Sequence, residues 1–290
     1  LIPEIVHHFF STVIRGIERI ANRRGYNVIV GLSNESFTKE IINMELLANG
    51  SIDGFILSIS KETLLKQDYH HFNATINQGM PIVMFDRVVN EVDCDKVIVD
   101  DFNGAAKAVT KLIENGCKNI ALITTMDYVS VGRLRTQGYL EALEENNIIA
   151  NPNLILKIDD SLDVENHVEI LENEIGLFFK ANSKIDGLFA VNELYAVTAM
   201  KVARKLGFSI PDDIQVIGFT DGVLSKHATP SLTTVSQHGQ KMGEQAANLL
   251  IDRLEAEDVE TEQYFTNNDT KKDFIKIVLE TEIIERESTK

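Results

Sequence analysis

Seven histidines and two cysteines are the residues of this 290-residue sequence that most readily bind a metal or attack a substrate. Four of the histidines form two adjacent pairs, His7-His8 and His70-His71. Neighbouring residues on a helix point about 100° apart, so an adjacent pair chelates a single metal ion poorly. We interpret these histidines as structural or solvated and predict no metal site.

Catalytic signatures are absent from the sequence. It contains no GxSxG elbow, no GxxxxGK[ST] phosphate loop, no GxGxxG fingerprint and no CxxC or HExxH motif. The two cysteines, Cys94 and Cys117, are too few for a disulfide framework and indicate reduced thiols in a cytoplasmic protein. Because no catalytic residue set is present, we predict neither an enzyme nor a cofactor.

The composition indicates an acidic globular protein whose length suits about two domains. Hydrophobic residues make up 44% and charged residues 25%, enough to build substantial cores. The net charge of -16 would repel a phosphate backbone, so this chain is a poor candidate for binding nucleic acid unaided. No apolar run reaches the roughly 18–20 residues of a transmembrane helix, and no signal peptide is visible. We expect no membrane contact.

One local pattern recurs along the chain. An amphipathic helical stretch ends at a glycine, and a short apolar run follows, as in the helix before Gly25 and the predicted buried strand Asn27 to Leu32. Further apolar runs begin at Ile52, Pro81, Asn119, Ile185 and Ile214. Apolar strands alternating with helices predict βαβ crossovers and parallel sheets, whose carboxyl ends form the ligand-binding edge.

The sequence also resembles itself. Ile52-Asp53-Gly54-Phe55 matches Ile185-Asp186-Gly187-Leu188, 133 residues later. The run from Ile82 to Asp86 resembles the run from Val216 to Thr220, 134 residues later. Two matches at nearly one offset favour two similar doubly wound α/β halves over one large sheet. Halves that meet at their strand carboxyl ends would enclose a cleft.

Three stretches are interpreted as passages between the halves: Val99-Asp100-Asp101, Leu232 to Gln237, and Leu279 to Thr281. They predict one subdomain of residues 1–99 plus 238–279 and another of residues 100–237 plus 280–290. The acidic stretch 255–262 and the polar stretch 266–273 are predicted to be a solvated excursion.

Several segments resemble those of the lactose-repressor-type (LacI/GalR) family of transcription regulators. The most specific are Pro211 to Phe219 (PDDIQVIGF) and Thr229 to Gln237 (TPSLTTVSQ). The remaining matches occur in the family's order and rough spacing: Phe9-Phe10, Phe85-Asp86-Arg87, Arg135 to Tyr139 and Ile284 to Thr289. The resemblance covers nearly the whole chain.

The resemblance implies a periplasmic-binding-protein-like type I effector core, with two parallel-sheet subdomains joined by three crossovers. Such a core binds a small-molecule effector, often a sugar, and acts as a homodimer in the cytoplasm. Subdomain closure changes the dimer's geometry and thereby its fit to operator DNA. Leu1-Ile2-Pro3 is similar to the end of the core's first strand. The family's DNA-binding headpiece is missing from this chain, which we therefore expect to be a fragment.

A transport-associated sugar-binding protein of the periplasmic-binding type is the alternative. It would be an exported monomer. A helix-turn-helix or a signal peptide upstream of Leu1 would distinguish the two classes.

The resemblance also implies ligand-binding residues in the first half. Phe9 and Phe10 match positions that press on the ligand, although they could instead pack the start of a helix. Asp86 ends a strand at the ligand edge and could accept hydrogen bonds from two hydroxyls. A turn position or an ion pair with Arg87 would be its structural alternative.

In the second half, Arg135 matches the family's ligand-gripping arginine, and Gln237 lies on the second crossover. Asn192 follows a strand and matches the family's asparagine, with a helix N-cap as its alternative role. The family usually has Asp where this chain has Thr220, so the carboxylate of Asp221 comes one residue late. We favour Thr220 facing the ligand and Asp221 capping the next segment, with Asp221 as the other candidate.

Overall fold

The computed structural model of the chain describes residues 1–5, 8–159, 167–262 and 273–290. His7 and residues 266–272 of the expected excursion lie outside the described residues, whereas the acidic stretch 255–262 forms the end of a helix. None of the described helices has the length and apolar character needed to cross a bilayer.

The described residues form two compact units. Unit 1 contains residues 1–99 and 238–279, and unit 2 contains residues 100–237 and 280–290. The chain therefore passes from one unit to the other three times. Each unit has its own sheet and its own hydrophobic core.

Unit 1 is built on a four-stranded parallel sheet of order β1-β2-β3-β9. Its strands are β1 (Phe55–Leu57), β2 (Ile82–Phe85), β3 (Asp95–Val99) and β9 (Lys276–Leu279). Its helices are α1 (His8–Arg23), α2 (Phe37–Ala48), α3 (Lys61–Lys66), α4 (His70–Asn77) and α10 (Gly239–Glu262). Helices α1 and α10 pack closely. Gly16 of α1 lies against the backbone of α10, and Gly243 of α10 lies against the backbone of α1, where a Cβ would hold the two helices apart.

Unit 2 has a six-stranded sheet of order β10-β8-β7-β6-β4-β5, in which only β10 is antiparallel to its neighbour. Its strands are β4 (Ile120–Thr125), β5 (Ile155–Ile158), β6 (Gly187–Ala190), β7 (Gln215–Phe219), β8 (Thr233–Ser236) and β10 (Glu282–Ile284). Its helices are α5 (Asp101–Glu114), α6 (Ser130–Glu145), α7 (His167–Ala181), α8 (Glu193–Lys205) and α9 (Val223–His227), with a 3-10 turn at Pro152–Leu154.

The predicted fold class, two doubly wound parallel-sheet subdomains joined by three crossovers, is confirmed. The helix ends follow the predicted chemistry: Gly25 has φ +81° just after α1, a left-handed conformation that glycine adopts without steric cost. The inner strands β2, β4, β6 and β7 are short and fully buried, as expected for parallel sheets covered on both faces.

The predicted buried strand from Asn27 to Leu32 is wrong. Only Leu32 forms a β-bridge, with Ile2, and the side chains of Val28, Ile29 and Val30 are 37%, 55% and 44% exposed. A β-branched run becomes a buried strand only where a neighbouring strand supplies its hydrogen bonds. Among the described residues, that support is confined to Ile2, which bonds the backbone on either side of Leu32.

The second histidine pair has the structural and solvated roles expected of it. His71 is buried, and its Nε2 lies 3.1 Å from Oε1 of the buried Glu40. His70 is exposed and contacts Asp68 at 2.7 Å. No group of three or more metal-binding side chains occurs within the part of the chain that the structure describes.

Candidate functional site

Arg135 is held in place by contacts to three elements of unit 2. Its Nε donates a 2.8 Å hydrogen bond to Oδ1 of Asp101, and its Nη1 donates a 2.6 Å hydrogen bond to the carbonyl of Val191. The guanidinium lies over the ring of Phe219, 3.7 Å from the ring centre. These contacts fix the side chain of Arg135 against the start of α5 and the ends of β6 and β7.

One nitrogen of Arg135 keeps an unused hydrogen-bonding capacity. Nη2 lies 2.7 Å from Oδ1 of Asp101 but makes no aligned hydrogen bond with any described residue. The residue is only 4% exposed, so this donor is shielded from bulk water. A buried donor without a hydrogen bond is costly unless a ligand or an ordered water supplies the acceptor.

Asn192 is the N-cap of α8, the role given above as its structural alternative. Its Oδ1 accepts a 2.8 Å hydrogen bond from the backbone N–H of Tyr195, and its backbone is extended. The side-chain amide nitrogen has no hydrogen-bond partner among the described residues. Capping therefore uses the oxygen of Asn192 and leaves two N–H donors.

Thr220 and Gln237 are brought together, although 17 residues separate them. The Thr220 hydroxyl donates a 2.5 Å hydrogen bond to Oε1 of Gln237, which is 4% exposed. Thr220 has φ +83°, a strained conformation for a β-branched residue. Its carbonyl accepts hydrogen bonds from the hydroxyls of Thr234, at 2.9 Å, and Ser225, at 3.3 Å. These contacts compensate the strain and fix the direction of the hydroxyl.

The expectation that Asp221 caps the following segment is wrong. Helix α9 begins after Gly222 and has no side-chain cap. The carboxylate of Asp221 instead pairs with Arg286, at 2.5 Å, and with Lys226, at 3.5 Å. Because Arg286 also donates a 2.8 Å hydrogen bond to the carbonyl of Leu232, Asp221 helps to hold the segment 280–290 in place within unit 2.

Four of the predicted ligand-binding residues therefore form one cluster at the carboxyl edge of the unit 2 sheet. Val191, which binds Arg135, directly precedes Asn192, and Phe219, which stacks with Arg135, directly precedes Thr220. Strands β6, β7 and β8 are neighbours in the sheet. We call Arg135, Asn192, Thr220 and Gln237 the donor cluster.

Asp86 occupies the corresponding position in unit 1. It follows β2 directly, has φ +59° and is 8% exposed. Its backbone N–H bonds the carbonyl of Val97 on the neighbouring strand at 3.1 Å, just as the N–H of Thr220 bonds Val235 at 2.8 Å. The two halves thus repeat a strand, an aromatic residue and a left-handed residue in three dimensions as well as in sequence.

Arg87, next to Asp86, is engaged by another carboxylate. Its Nη1 lies 2.9 and 2.8 Å from the two carboxylate oxygens of Glu35. This ion pair ties the end of β2 to the segment before α2. The structure therefore shows Glu35 as a partner of Arg87.

Phe9 and Phe10 lie in the first turn of α1 and pack into the core of unit 1. Their rings meet edge to face with centroids 5.3 Å apart, and Phe10 also meets Phe85 at 6.2 Å. They are 8% and 3% exposed. The two rings thus pack at the start of a helix, the role that was the structural alternative to ligand contact for this pair.

Three functional candidates at the unit 2 edge escaped the sequence analysis. Asp101, 3% exposed, is the ion-pair partner of Arg135. Glu193 accepts a 2.6 Å hydrogen bond from the backbone N–H of Ser225 and so fixes the loop after Thr220. Ser130, at the start of α6, has a buried hydroxyl without a hydrogen-bond partner among the described residues. Ser130 lies between Val129 and Val131 in the segment after β4, and a polar residue between two apolar ones at a strand's carboxyl end is the feature that could have identified it.

The cysteines are unsuited to nucleophilic chemistry. Burial raises the pKa of the Cys94 thiol to about 11 and that of Cys117 to about 12. Both thiols therefore stay protonated at neutral pH, and only the thiolate is a competent nucleophile.

Comparison with known proteins identifies relatives along the whole chain. The family model of the periplasmic binding protein-like domain matches residues 109–289. The ribose operon repressor of Halalkalibacterium halodurans is 32% identical over 264 residues, covering 91% of this chain and 74% of that protein. The repressor CytR of Escherichia coli K12 is 28% identical over 262 residues, covering 89% of this chain and 73% of that protein.

Solved structures extend the similarity to three dimensions. The cellobiose complex of the transcriptional regulator CelR superposes with a TM-score of 0.82 at 25% identity, covering 99% of this chain and 83% of that one. A ribose-bound regulator from Enterococcus faecium superposes with a TM-score of 0.78 at 25% identity, covering 99% of this chain and 96% of that one.

Proposed function

Because the chain belongs to the LacI/GalR family of transcriptional regulators, we propose that residues 1–290 form an effector-binding core that senses a sugar or a related small molecule. The donor cluster carries this proposal. It presents several polar groups at the carboxyl edge of a parallel sheet, where α/β proteins bind their ligands. The relatives whose structures contain ribose and cellobiose support a sugar-type effector.

We propose that the effector acts by shifting the relative arrangement of the two units. The three passages, at residues 99–100, 237–238 and 279–280, are the points at which such a rearrangement would be absorbed. An effector that binds one arrangement more tightly shifts the population towards it. In a homodimer this shift would alter the distance between two DNA-binding headpieces and so their fit to operator half-sites.

Operator DNA would be contacted by a headpiece outside residues 1–290, in the cytoplasm. The net charge of -16 supports this assignment, because the effector core itself would repel phosphates. We assign the core no enzymatic activity. The protonated thiols of Cys94 and Cys117 and the regulatory function of the relatives support that assignment.

Thermal unfolding in the presence of a sugar panel that includes ribose and cellobiose tests the proposal. A compound present at a hundredfold excess over its Kd should raise stability by about 2.7 kcal/mol. At the same concentration the Arg135→Lys variant, which we expect to bind at least about tenfold more weakly, should be stabilised by no more than about 1.4 kcal/mol. A panel that leaves the unfolding temperature unchanged throughout would contradict the assignment of a sugar-type effector.

Two further measurements test the assembly. Light scattering at micromolar concentration should give twice the mass of one chain, and the mass of a single chain would contradict the proposed homodimer. A gel-shift assay with random duplex DNA at moderate salt should show no retardation by residues 1–290. Retardation would contradict the assignment of DNA contact to a headpiece.

A further inference from the structure

Thr220 is a strained residue within the donor cluster. Its φ of +83° lies in a region that β-branched residues seldom adopt. Such a conformation persists only where the surrounding structure fixes it, and it is typical of functional sites. The residues that fix Thr220 therefore contribute to the geometry of the donor cluster.

One of the fixing contacts comes from Ser225, which is fully buried. Its hydroxyl donates a 3.3 Å hydrogen bond to the carbonyl of Thr220. The position of Ser225 depends in turn on α8, because its backbone N–H donates a 2.6 Å hydrogen bond to Oε1 of Glu193. Glu193 therefore acts on Thr220 through a single intermediate residue.

Glu193 also supplies the cap that α9 lacks at its own N-terminus. Helix α9 begins after Gly222, which has no side chain with which to cap it. Ser225 is the third residue of α9, so its N–H is one of those that no carbonyl of the same helix accepts. The carboxylate of Glu193, a residue only 8% exposed, accepts it from the neighbouring helix α8. Hydrogen bonds to carboxylates are stronger than those between neutral groups, so this contact holds the loop firmly.

Gly222 provides the space in which the carboxylate of Glu193 lies. A Cβ at Gly222 would be 2.2 Å from Oε2 of Glu193. The backbone of Gly222 is extended, with φ −98° and ψ −166°, a conformation open to other residues as well. Glycine is therefore needed here for the close approach of Glu193 and not for its backbone freedom.

Glu193 directly follows Asn192, a member of the donor cluster. Asn192 caps α8 at the end of β6, and Glu193 holds the loop at the end of the neighbouring strand β7. We propose that Glu193 is a positioning residue of the effector site, which fixes residues 220–225 and so directs the Thr220 hydroxyl towards Gln237. This inference rests on the proposed effector-binding function and adds to it a residue outside the donor cluster.

Hydrogen exchange of the whole chain tests the positioning role without a ligand. Glu193→Ala should raise the exchange rates of the backbone N–H groups of Ser225 and Thr220 at least about tenfold. Glu193→Gln keeps a side-chain oxygen that can accept the N–H of Ser225, so both rates should stay within about threefold of wild type. An unchanged rate at Thr220 in Glu193→Ala, or an equal rise in the two variants, would overturn the proposal.

Asp186→Ala is the matched control at the opposite edge of the same sheet. Asp186 directly precedes β6, and its carboxylate accepts a 2.7 Å hydrogen bond from the backbone N–H of Asn119. Its removal should raise the exchange rate at Asn119 and leave those of Ser225 and Thr220 within about threefold of wild type. A rise at Thr220 as large as in Glu193→Ala would indicate general loosening of unit 2 and would overturn the specific role of Glu193.

Gly222→Ala displaces the same carboxylate by a second route, because the new Cβ would push it away from Ser225. The extended backbone suits alanine, so the variant should fold, as circular dichroism would verify. It should raise the exchange rate at Thr220 about as much as Glu193→Ala does. Combining the two substitutions should cause no further rise, since the colliding carboxylate is already absent. Additive effects would overturn the pairing of Gly222 with Glu193.

Calorimetry with ribose and cellobiose measures the consequence for binding. Glu193→Ala should bind whichever of these sugars the wild-type chain binds at least about tenfold more weakly, whereas Glu193→Gln and Asp186→Ala should stay within about threefold. Wild-type affinity in Glu193→Ala would overturn this inference and leave the proposed function intact. If the wild-type chain bound neither sugar, the sugar-type effector would be contradicted, and the exchange rates would still decide whether Glu193 positions Thr220.

Discussion

Arg135 stacks on Phe219 with its guanidinium 3.7 Å from the ring centre, and Phe219 immediately precedes Thr220. This contact joins a side chain from α6 to the strand end that carries the unusual Thr. Since Asp101 and the carbonyl of Val191 hold the same guanidinium, its position is fixed by three contacts within unit 2. Such pre-organisation reduces the entropy that ligand binding would otherwise cost.

Replacing Arg135 should separate its structural role from its ligand-binding role. Arg135→Ala leaves Asp101 buried without its cation, so urea unfolding should show a loss of about 3–5 kcal/mol. Arg135→Lys keeps a cation but loses the planar fork and the stacking on Phe219. We expect the Lys variant to lose less stability and to bind the effector at least about tenfold more weakly by calorimetry, since a charged hydrogen bond contributes roughly 1.5–3 kcal/mol.

The double variant Asp101→Asn with Arg135→Gln is the control for this prediction. It removes both charges together, so it should recover part of the stability lost in Arg135→Ala without recovering ligand binding. Wild-type stability in Arg135→Ala would contradict the importance of the buried pair. If the Arg135→Lys variant bound the effector with wild-type affinity, the guanidinium of Arg135 would not be a ligand-binding group.

The parts of the structure that could be predicted from sequence are those set by local pattern. The alternation of helix, glycine and apolar run was enough to predict the two sheets, because each helix or strand shows its own hydrophobic periodicity and a glycine marks the end of a helix. Topology then brought Arg135, Asn192, Thr220 and Gln237 to one edge, because all lie at or near the carboxyl ends of neighbouring strands.

The parts that could not be predicted depend on distant partners. Asp221 was expected to cap the next segment, but it pairs with Arg286, 65 residues away. The run from Val28 to Val30 is apolar enough for a buried strand, yet its burial requires a neighbouring strand that local pattern does not reveal. Asp101 contributes to the site because it pairs with Arg135, which lies 34 residues further along the chain.

Thr220 and Asp221 should differ in what they contribute. Thr220→Ala removes the hydroxyl that orients Gln237 and should weaken effector binding about three- to tenfold, the value of one neutral hydrogen bond. Asp221→Asn should change affinity less than about twofold, but it should lower the free energy of unfolding by about 1 kcal/mol because Arg286 loses its partner. Calorimetry and urea unfolding measure the two effects. The reverse order of affinities, with both proteins equally folded, would transfer the ligand role to Asp221.

The two cysteines should be inert in the folded protein. With pKa values of about 11 and about 12, both thiolates are scarce at pH 8, whereas an unfolded cysteine titrates near pH 8.5. Reaction with a thiol reagent should therefore be at least about a hundredfold slower in the native protein than in denaturant. Between pH 7 and pH 9 the native rate should rise about tenfold per pH unit, while the rate of the unfolded chain levels off. Fast reaction of either thiol in the native protein would contradict the burial described here.

Gly138 and Gly176 form a matched pair for testing helix packing in unit 2, since both lie inside helices and differ only in their surroundings. A Cβ at Gly138 on α6 would lie 2.2 Å from the carbonyl oxygen of Phe102 on α5. The helices would have to separate, so Gly138→Ala should destabilise the protein by about 1–3 kcal/mol or more.

A Cβ at Gly176 on α7 would meet nothing closer than a methyl of Val202 at 3.8 Å. Gly176→Ala should therefore stabilise the protein by about 0.5–1 kcal/mol, the helix preference of Ala over Gly. Urea unfolding of the two variants measures both effects. Equal changes in the free energy of unfolding at the two positions would contradict the close approach of α5 and α6 at Gly138.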